Sequence, residues 1–137
     1  MFVGLNREDP GQAPISPEHM RRTLRAFREA PSRGTAIVLE VRGGPVGYAL
    51  LLPYWSNELG GACCVIDELF VSEALRGQGH ATALIRALAA GVGPWPHEIV
   101  AVCLEVARLN EQARALYRRL GFVGDNLALR LPRVTAQ

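Results

Sequence analysis

Two periods govern the apolar positions of this chain, and the switch between them lays out its elements. Thr35–Arg42 (TAIVLEVR) and Val46–Pro53 (VGYALLLP) are apolar, partly β-branched runs on either side of Gly43-Gly44, a pattern that predicts a hairpin. Ala62–Val71 (ACCVIDELFV) predicts a third strand, apolar except for the neighbouring acids Asp67 and Glu68. The period then becomes helical: Ala81, Leu84, Ile85 and Leu88 share one face of a helix predicted over Gly79–Ala90, ended by Gly91 and Gly93-Pro94. Trp95-Pro96-His97 reads as a connector, and Ile99–Val106 (IVAVCLEV) as a strand apolar enough to be central in a sheet. Ala113, Leu116, Tyr117 and Leu120 mark a helix over Glu111–Leu120, capped by Asn110 and stopped by Gly121, and Leu127–Leu131 reads as a last strand.

Ahead of the hairpin, Ser16-Pro17-Glu18 has the composition of a helix start, with Ser16 as cap and Pro17 in the first turn. Met20, Leu24 and Phe27 give that helix a narrow apolar face, and Pro31 stops it. Residues 1–15 lack clear periodicity and read as an irregular segment, with residues 16–137 as one domain. Pro53–Gly61 (PYWSNELGG) reads as a turn-rich loop. Its Tyr54 and Trp55 either cap the core or, with Glu58, face a substrate, because loops on a rigid scaffold carry specificity. Helices interleaved with strands, a hairpin, and no repeat or long linker predict a single α/β domain with a mixed sheet.

Composition narrows the function classes. A chain of 137 residues has room for one core, and 49% hydrophobic with 20% charged residues is ordinary for a soluble domain. A net charge of +2, from 15 basic residues that are all arginine, is too small to argue for nucleic acid. Arg21, Arg22, Arg25 and Arg28, like Arg114, Arg118 and Arg119, read mainly as solvated helix faces. Cys63, Cys64 and Cys103 are odd in number and lie in strand-like runs, which fits core thiols in a reducing compartment and gives no metal spacing. The first residues turn polar at once and no apolar run reaches ~18 residues, so the expectation is a cytoplasmic protein without a membrane span.

The chemistry concentrates between Val65 and Leu88: an acid-bearing strand, a short turn, the loop Arg76-Gly77-Gln78-Gly79-His80-Ala81, and a helix opening from it. A helix N-terminus has amides without intrahelical acceptors and the positive end of a dipole, so a glycine loop in front of one suits a phosphate. Two common phosphate motifs fail. The ATP-binding loop needs a lysine, which this chain lacks, and the dinucleotide fingerprint finds Thr82 where its third glycine should stand.

The pattern R/Q-x-x-G-x-G/A does fit, through Arg76, Gly79 and Ala81, and after Leu69-Phe70-Val71 it resembles the acetyl-CoA motif of the GNAT N-acetyltransferase superfamily. A second motif of that family, N-x-x-A-x-x-x-Y-x-x-x-G-F, is matched by Asn110, Ala113, Tyr117, Gly121 and Phe122, about thirty residues further on. The resemblance covers roughly residues 33–131. It implies a GNAT-like three-layer domain around a central mixed, splayed sheet. Members of the family begin with a strand and a longer first helix, of which residues 2–15 offer at most a vestige. The first strand is then missing or shortened, replaced by residues 1–15, or encoded upstream.

The resemblance implies acetyl-CoA as co-substrate, no metal, and coenzyme contacts from Leu69, Phe70 and Val71, from the loop Arg76, Gly77, Gln78, Gly79, His80, Ala81 and Thr82, and from Asn110, Ala113 and Tyr117. The acceptor would be a primary amine, which carries a proton in water with a pKa of about 10.4 and must lose it before attack. Asp67 and Glu68 are the candidate bases; neighbours on a strand point to opposite faces, so one of them addresses the site, and the lean is to Glu68. A backbone N–H around Leu69–Val71 would stabilise the developing oxyanion. The family pattern nominates Tyr117 as the acid that protonates the leaving thiolate. His19, His80 and His97 have no evident partners and are assigned no chemistry. The expected acceptor is a small-molecule amine, polyamine-like or another, with a protein N-terminus, a lysine or an aminoacyl-tRNA as the alternative acceptor and a non-catalytic acyl-CoA-binding regulatory module as the alternative function. A homodimer is compatible with the family, and no residue decides it.

Overall fold

A meander of three antiparallel strands carries the domain: β1 (Thr35–Val41), β2 (Gly44–Ser56) and β3 (Gly61–Val71), with β4 (Ala101–Leu104) added parallel to β3 in the order β1-β2-β3-β4. The computed structural model describes residues 15–125 and positions 129, 131 and 133. The predicted last strand, Leu127–Leu131, therefore lies largely outside the described residues, as does all but Ile15 of the irregular segment over 1–15.

Among the described residues three α-helices flank the sheet: α1 (Pro17–Glu29), α2 (His80–Ala89) and α3 (Glu111–Arg119). Ser16 caps α1 as its composition predicts, its Oγ accepting the His19 N–H at 3.2 Å. Met20 and Phe27 of α1 pack on Tyr48, Leu50 and Phe70, which point to one face of the sheet. Leu24, expected on that apolar face, is instead largely exposed, because α1 rests on the sheet by a narrow stripe. On the other face Leu84, Ile85 and Leu88 of α2 are buried against Ala49, Leu51, Cys64 and Ile66, and Tyr117, Leu120 and Phe122 join that cluster at its edge. Helix, sheet and helices make the three layers.

Several boundaries differ from the sequence reading. The Pro53–Gly61 loop shrinks to a turn over 57–60, because Pro53 through Ser56 continue β2 in register with Cys64 through Gly61. Pro53 is tolerated there because β1 stops at the Thr35–Leu51 pair, so among the described residues β2 has no neighbouring strand on that side to which an N–H could donate. The strand read over Ile99–Val106 is only four residues long, and among the described residues it is outermost rather than central. Trp95, read as part of a connector, is buried in the α2-side core. Cys63 and Cys64 are buried and Cys103 half-buried, all as free thiols.

The register between β2 and β3 contains one irregularity with large consequences. Leu50 faces Glu68, yet the next residue, Leu51, faces Ile66, so the register skips Asp67. This is a β-bulge: one extra residue on β3, which reverses the alternation of every residue beyond it. Ile66 and Leu69 lie on the α2 side and Glu68 and Phe70 on the α1 side, an order that strict alternation from Ile66 would invert.

Close approach of the two strands just past the bulge requires glycine at Gly47, where a Cβ would stand 2.1 Å from the carbonyl oxygen of Phe70. Gly47→Ala is expected to lower stability by about 1–3 kcal/mol, as overpacking does, read as a lower urea midpoint at unchanged slope.

Candidate active site

The loop after β3 is built to leave its amides available. A short 3₁₀ turn, Glu73–Leu75, is followed by Gly77 and Gly79 at φ +73 and +85, a left-handed conformation that side-chain-bearing residues avoid. Gly79 caps α2 without a side chain to offer, and the first helical turn closes only when the Ala83 N–H donates to Gly79 O at 2.9 Å. The other two helices differ: Ser16 caps α1, and Asn110 Oδ1 accepts the Ala113 N–H of α3 at 3.1 Å. The α2 N-terminus thus presents amides and a positive dipole end that no side chain caps among the described residues. Arg76 anchors the loop to the strand: its Nε donates to Val71 O at 2.9 Å and its guanidinium lies 5.8 Å from the centre of the Phe70 ring.

Beside this loop the sheet splays. β4 pairs with β3 only from Cys63–Ala101 to Ile66–Leu104, whereas β3 continues to Val71 paired with β2 alone. The stretch Leu69–Val71 therefore has a backbone edge that β4 does not cover, leading straight into the glycine loop.

The bulge turns Glu68 to the α1 side of this opening. Its Oε2 accepts a hydrogen bond from Tyr48 Oη at 3.0 Å. Burial, chiefly, pushes its carboxyl above the usual glutamate range, helped by the neighbouring charge of Asp67 and opposed by the Tyr48 hydrogen bond. Asp67 stands exposed at the bulge. On the α2 side, Tyr117 of α3 packs against the buried core cluster, as Leu69 does from β3, and meets the Phe122 ring edge-on at 5.6 Å. Burial raises its phenol, which keeps the proton on the oxygen.

The structure thus gathers Glu68, Leu69–Val71 and the loop around the C-terminal half of β3, and places Tyr117 against the core cluster on the α2 face of the sheet. It does not bring Tyr54, Trp55 and Glu58 to this place. Tyr54 and Trp55 pair with Cys63 and Ala62, and are 57% and 67% exposed at the opposite end of the hairpin. Cys63 stands five residues before Glu68, about 17 Å along a strand. His80, from which only a backbone contribution is expected, has a buried Nε2 without a hydrogen-bond partner among the described residues. It sits at the rim of a groove of about 480 Å³ between α2 and β1, lined also by Ile37, Glu40, Ala83 and Ala87. Tyr48 is the site residue that sequence reasoning missed: it sits 20 residues before Glu68 in a run that reads as ordinary apolar strand.

A family model for the acetyltransferase (GNAT) family matches residues 4–122. The chain belongs to the GNAT acetyltransferase family. It is therefore an acyltransferase of a family that uses an acyl-CoA and an acceptor substrate. Solved structures agree on the fold. A possible acetyltransferase from Clostridium difficile 630 superposes with a TM-score of 0.76 at 19% identity, covering 98% of this chain and 87% of that one. A ribosomal-protein-alanine N-acetyltransferase from Brucella melitensis biovar Abortus 2308 gives 0.65 at 18% identity, over 96% of this chain and 88% of that one. A transcriptional regulator from Bacillus halodurans C-125 gives 0.69 at 19% identity, over 96% and 91%. No curated protein matches the chain. Among the described residues, no group of His, Cys, Asp and Glu could hold a metal, and no helix is long and apolar enough to cross a membrane.

The GNAT site fits an acyl-CoA on two structural grounds: a helix N-terminus capped by a residue with no side chain, and a strand edge that β4 leaves uncovered. Gly79→Ala forces a Cβ into the left-handed region although nothing lies within 4 Å of it. The strain of about 1–2 kcal/mol should weaken coenzyme A binding roughly 5- to 30-fold in a calorimetric titration. Gly91→Ala, equally strained at φ +69 but at the other end of α2, should leave that affinity unchanged.

Proposed function

We propose that this GNAT protein transfers an acetyl group from acetyl-CoA to a primary amine of a small molecule, with Glu68 as general base and Tyr117 as general acid. The observation that carries the reading is the bulge at Asp67. It puts a half-buried carboxylate on the α1 face of β3 at the level where β4 has ended, while Tyr117 belongs to the cluster on the other face. Acetyl-CoA supplies the thioester whose acyl carbon the amine attacks and whose thiol leaves.

The loop amides from Gly77 to Thr82 and the α2 dipole would hold the pyrophosphate, and the Leu69–Val71 edge would align the chain leading to the thioester. A backbone N–H of that edge would stabilise charge on the carbonyl oxygen without reorganisation. Glu68 takes a proton from the incoming ammonium, directly or through a water. Its burial helps, because a carboxylate with a raised pKa is a stronger base and holds the proton better. Asp67, exposed beside it, adds negative charge that attracts a cationic amine. Tyr117 stays protonated and gives its proton to the leaving thiolate. No covalent enzyme intermediate is needed, so the three cysteines have no part in the reaction.

The deciding experiment follows free-thiol release from acetyl-CoA across small amines, peptides with free N-termini, and lysine peptides. Rapid release with a small amine supports the reading. Release with peptides alone reassigns the acceptor to a protein, and tight coenzyme binding without release to any amine supports a regulatory module. Glu68→Gln is expected to reduce kcat by roughly 10²- to 10³-fold and Asp67→Asn by only a few-fold. Tyr117→Phe should cost kcat roughly 10- to 100-fold with little change in coenzyme affinity. Glu68 must be ionised to act, and burial raises its pKa. The acid limb of kcat/KM should therefore lie above the ordinary glutamate value of about 4.3, with activity lost as pH falls through it, and Glu68→Gln should abolish that limb.

A further inference from the structure

We infer that Tyr48 is a positioning residue for this reaction: its hydroxyl holds one oxygen of Glu68 and aims the other at the acceptor amine. The inference rests on Glu68 being the base. Tyr48 Oη lies 3.0 Å from Glu68 Oε2, and the two side chains share the α1 face because the bulge puts Leu50 opposite Glu68. The phenol is itself held by packing. It is only 8% exposed, and its ring stacks tilted on Phe70 at 5.8 Å within the cluster closed by Met20 and Phe27. A hydroxyl fixed this way restricts the carboxylate to one rotamer, with Oε2 occupied and Oε1 left to accept the amine proton.

Direction of donation follows from the surroundings. Burial and the nearby carboxylate both push the Tyr48 phenol far above its ordinary pKa, so it remains the donor and Glu68 the acceptor. The titratable groups that bear on Glu68 are Tyr48 on β2 and Asp67 on β3, while α1 presents the apolar Met20 and Phe27. Tyr48 thus also moderates the base. Its hydrogen bond favours the ionised carboxylate against desolvation and the Asp67 charge, so Glu68 stays ionised to lower pH than burial alone would allow.

Tyr48→Phe tests this, since it keeps the ring and its packing on Phe70 and removes only the hydroxyl. The expected result is a kcat lowered roughly tenfold, an unchanged KM for acetyl-CoA, and an acid limb of kcat/KM moved to higher pH. Replacing Tyr48 by 3-fluorotyrosine, a more acidic donor, should move that limb the other way, and a purely structural tyrosine would shift it in neither case. A ¹³C titration of the Glu68 carboxyl in the unliganded protein reads the same shift without turnover. If Glu68→Gln abolishes the limb but neither Tyr48 variant moves it or the titration, Tyr48 only packs and the inference is overturned. If Glu68→Gln leaves rate and limb intact, the assignment of Glu68 as base fails first, and the inference with it.

Discussion

One extra residue on β3 sets the geometry on which the candidate site depends. A strand alternates its side chains, and without an insertion Glu68 would share the face of Ile66 and Cys64, inside the core built by α2. A carboxylate there would have to be protonated or find a buried partner, at a cost of several kcal/mol. The bulge at Asp67 exchanges that outcome for another. Glu68 moves to the α1 face, where Tyr48 accommodates it, while Leu69 takes the α2-facing position and completes the apolar core. The same reversal sends Phe70 to the α1 side, where it supports both Tyr48 and the guanidinium of Arg76.

The bulge also stands where the sheet opens. β4 leaves β3 after Ile66, the residue just before it, so the last part of β3 is paired on one side only. An uncovered strand edge is usually a liability, open to unwanted pairing. In this domain it runs directly into a loop whose two left-handed glycines and side-chain-free helix cap leave further amides available. Strand edge and helix terminus are separate sets of backbone groups joined by the Glu73–Leu75 turn, whose Leu75 amide is already paired with Ser72 O. Arg76, bonded to the Val71 carbonyl, ties the two parts together.

The two candidate catalytic groups lie on opposite faces of the sheet. Glu68 belongs with α1 and Tyr117 with α2 and α3, so base and acid are kept apart by the sheet itself. Separation of this kind suits a transfer in which one proton is removed from the incoming group and another delivered to the leaving group, because the two cannot neutralise each other. Both groups are raised by burial, with opposite use: the carboxylate becomes a better base, and the phenol stays protonated.

Much of this was legible in the chain because it is encoded locally. Hydrophobic period, the Ser16 and Asn110 caps and the glycine loop before α2 are short-range features, and two spaced motifs were enough to place the family. Asp67 and Glu68 could be named as acids but not separated, since a bulge is a property of register with β2 and leaves no mark in the period of β3 alone. Strand lengths failed for a related reason: Pro53 is acceptable in β2 only because β1 has already ended, and Ile99–Val106, apolar but for Glu105, pairs over four residues because the sheet splays. Tyr48 looked like one more apolar strand residue, and Tyr54 and Trp55 like a substrate loop, until pairing placed the first beside Glu68 and the others at the far end of the hairpin. The sequence by itself determined the elements, the family and the chemical types at the site. Only the tertiary structure decided which face each of them occupies, because facing is set by the neighbouring strand.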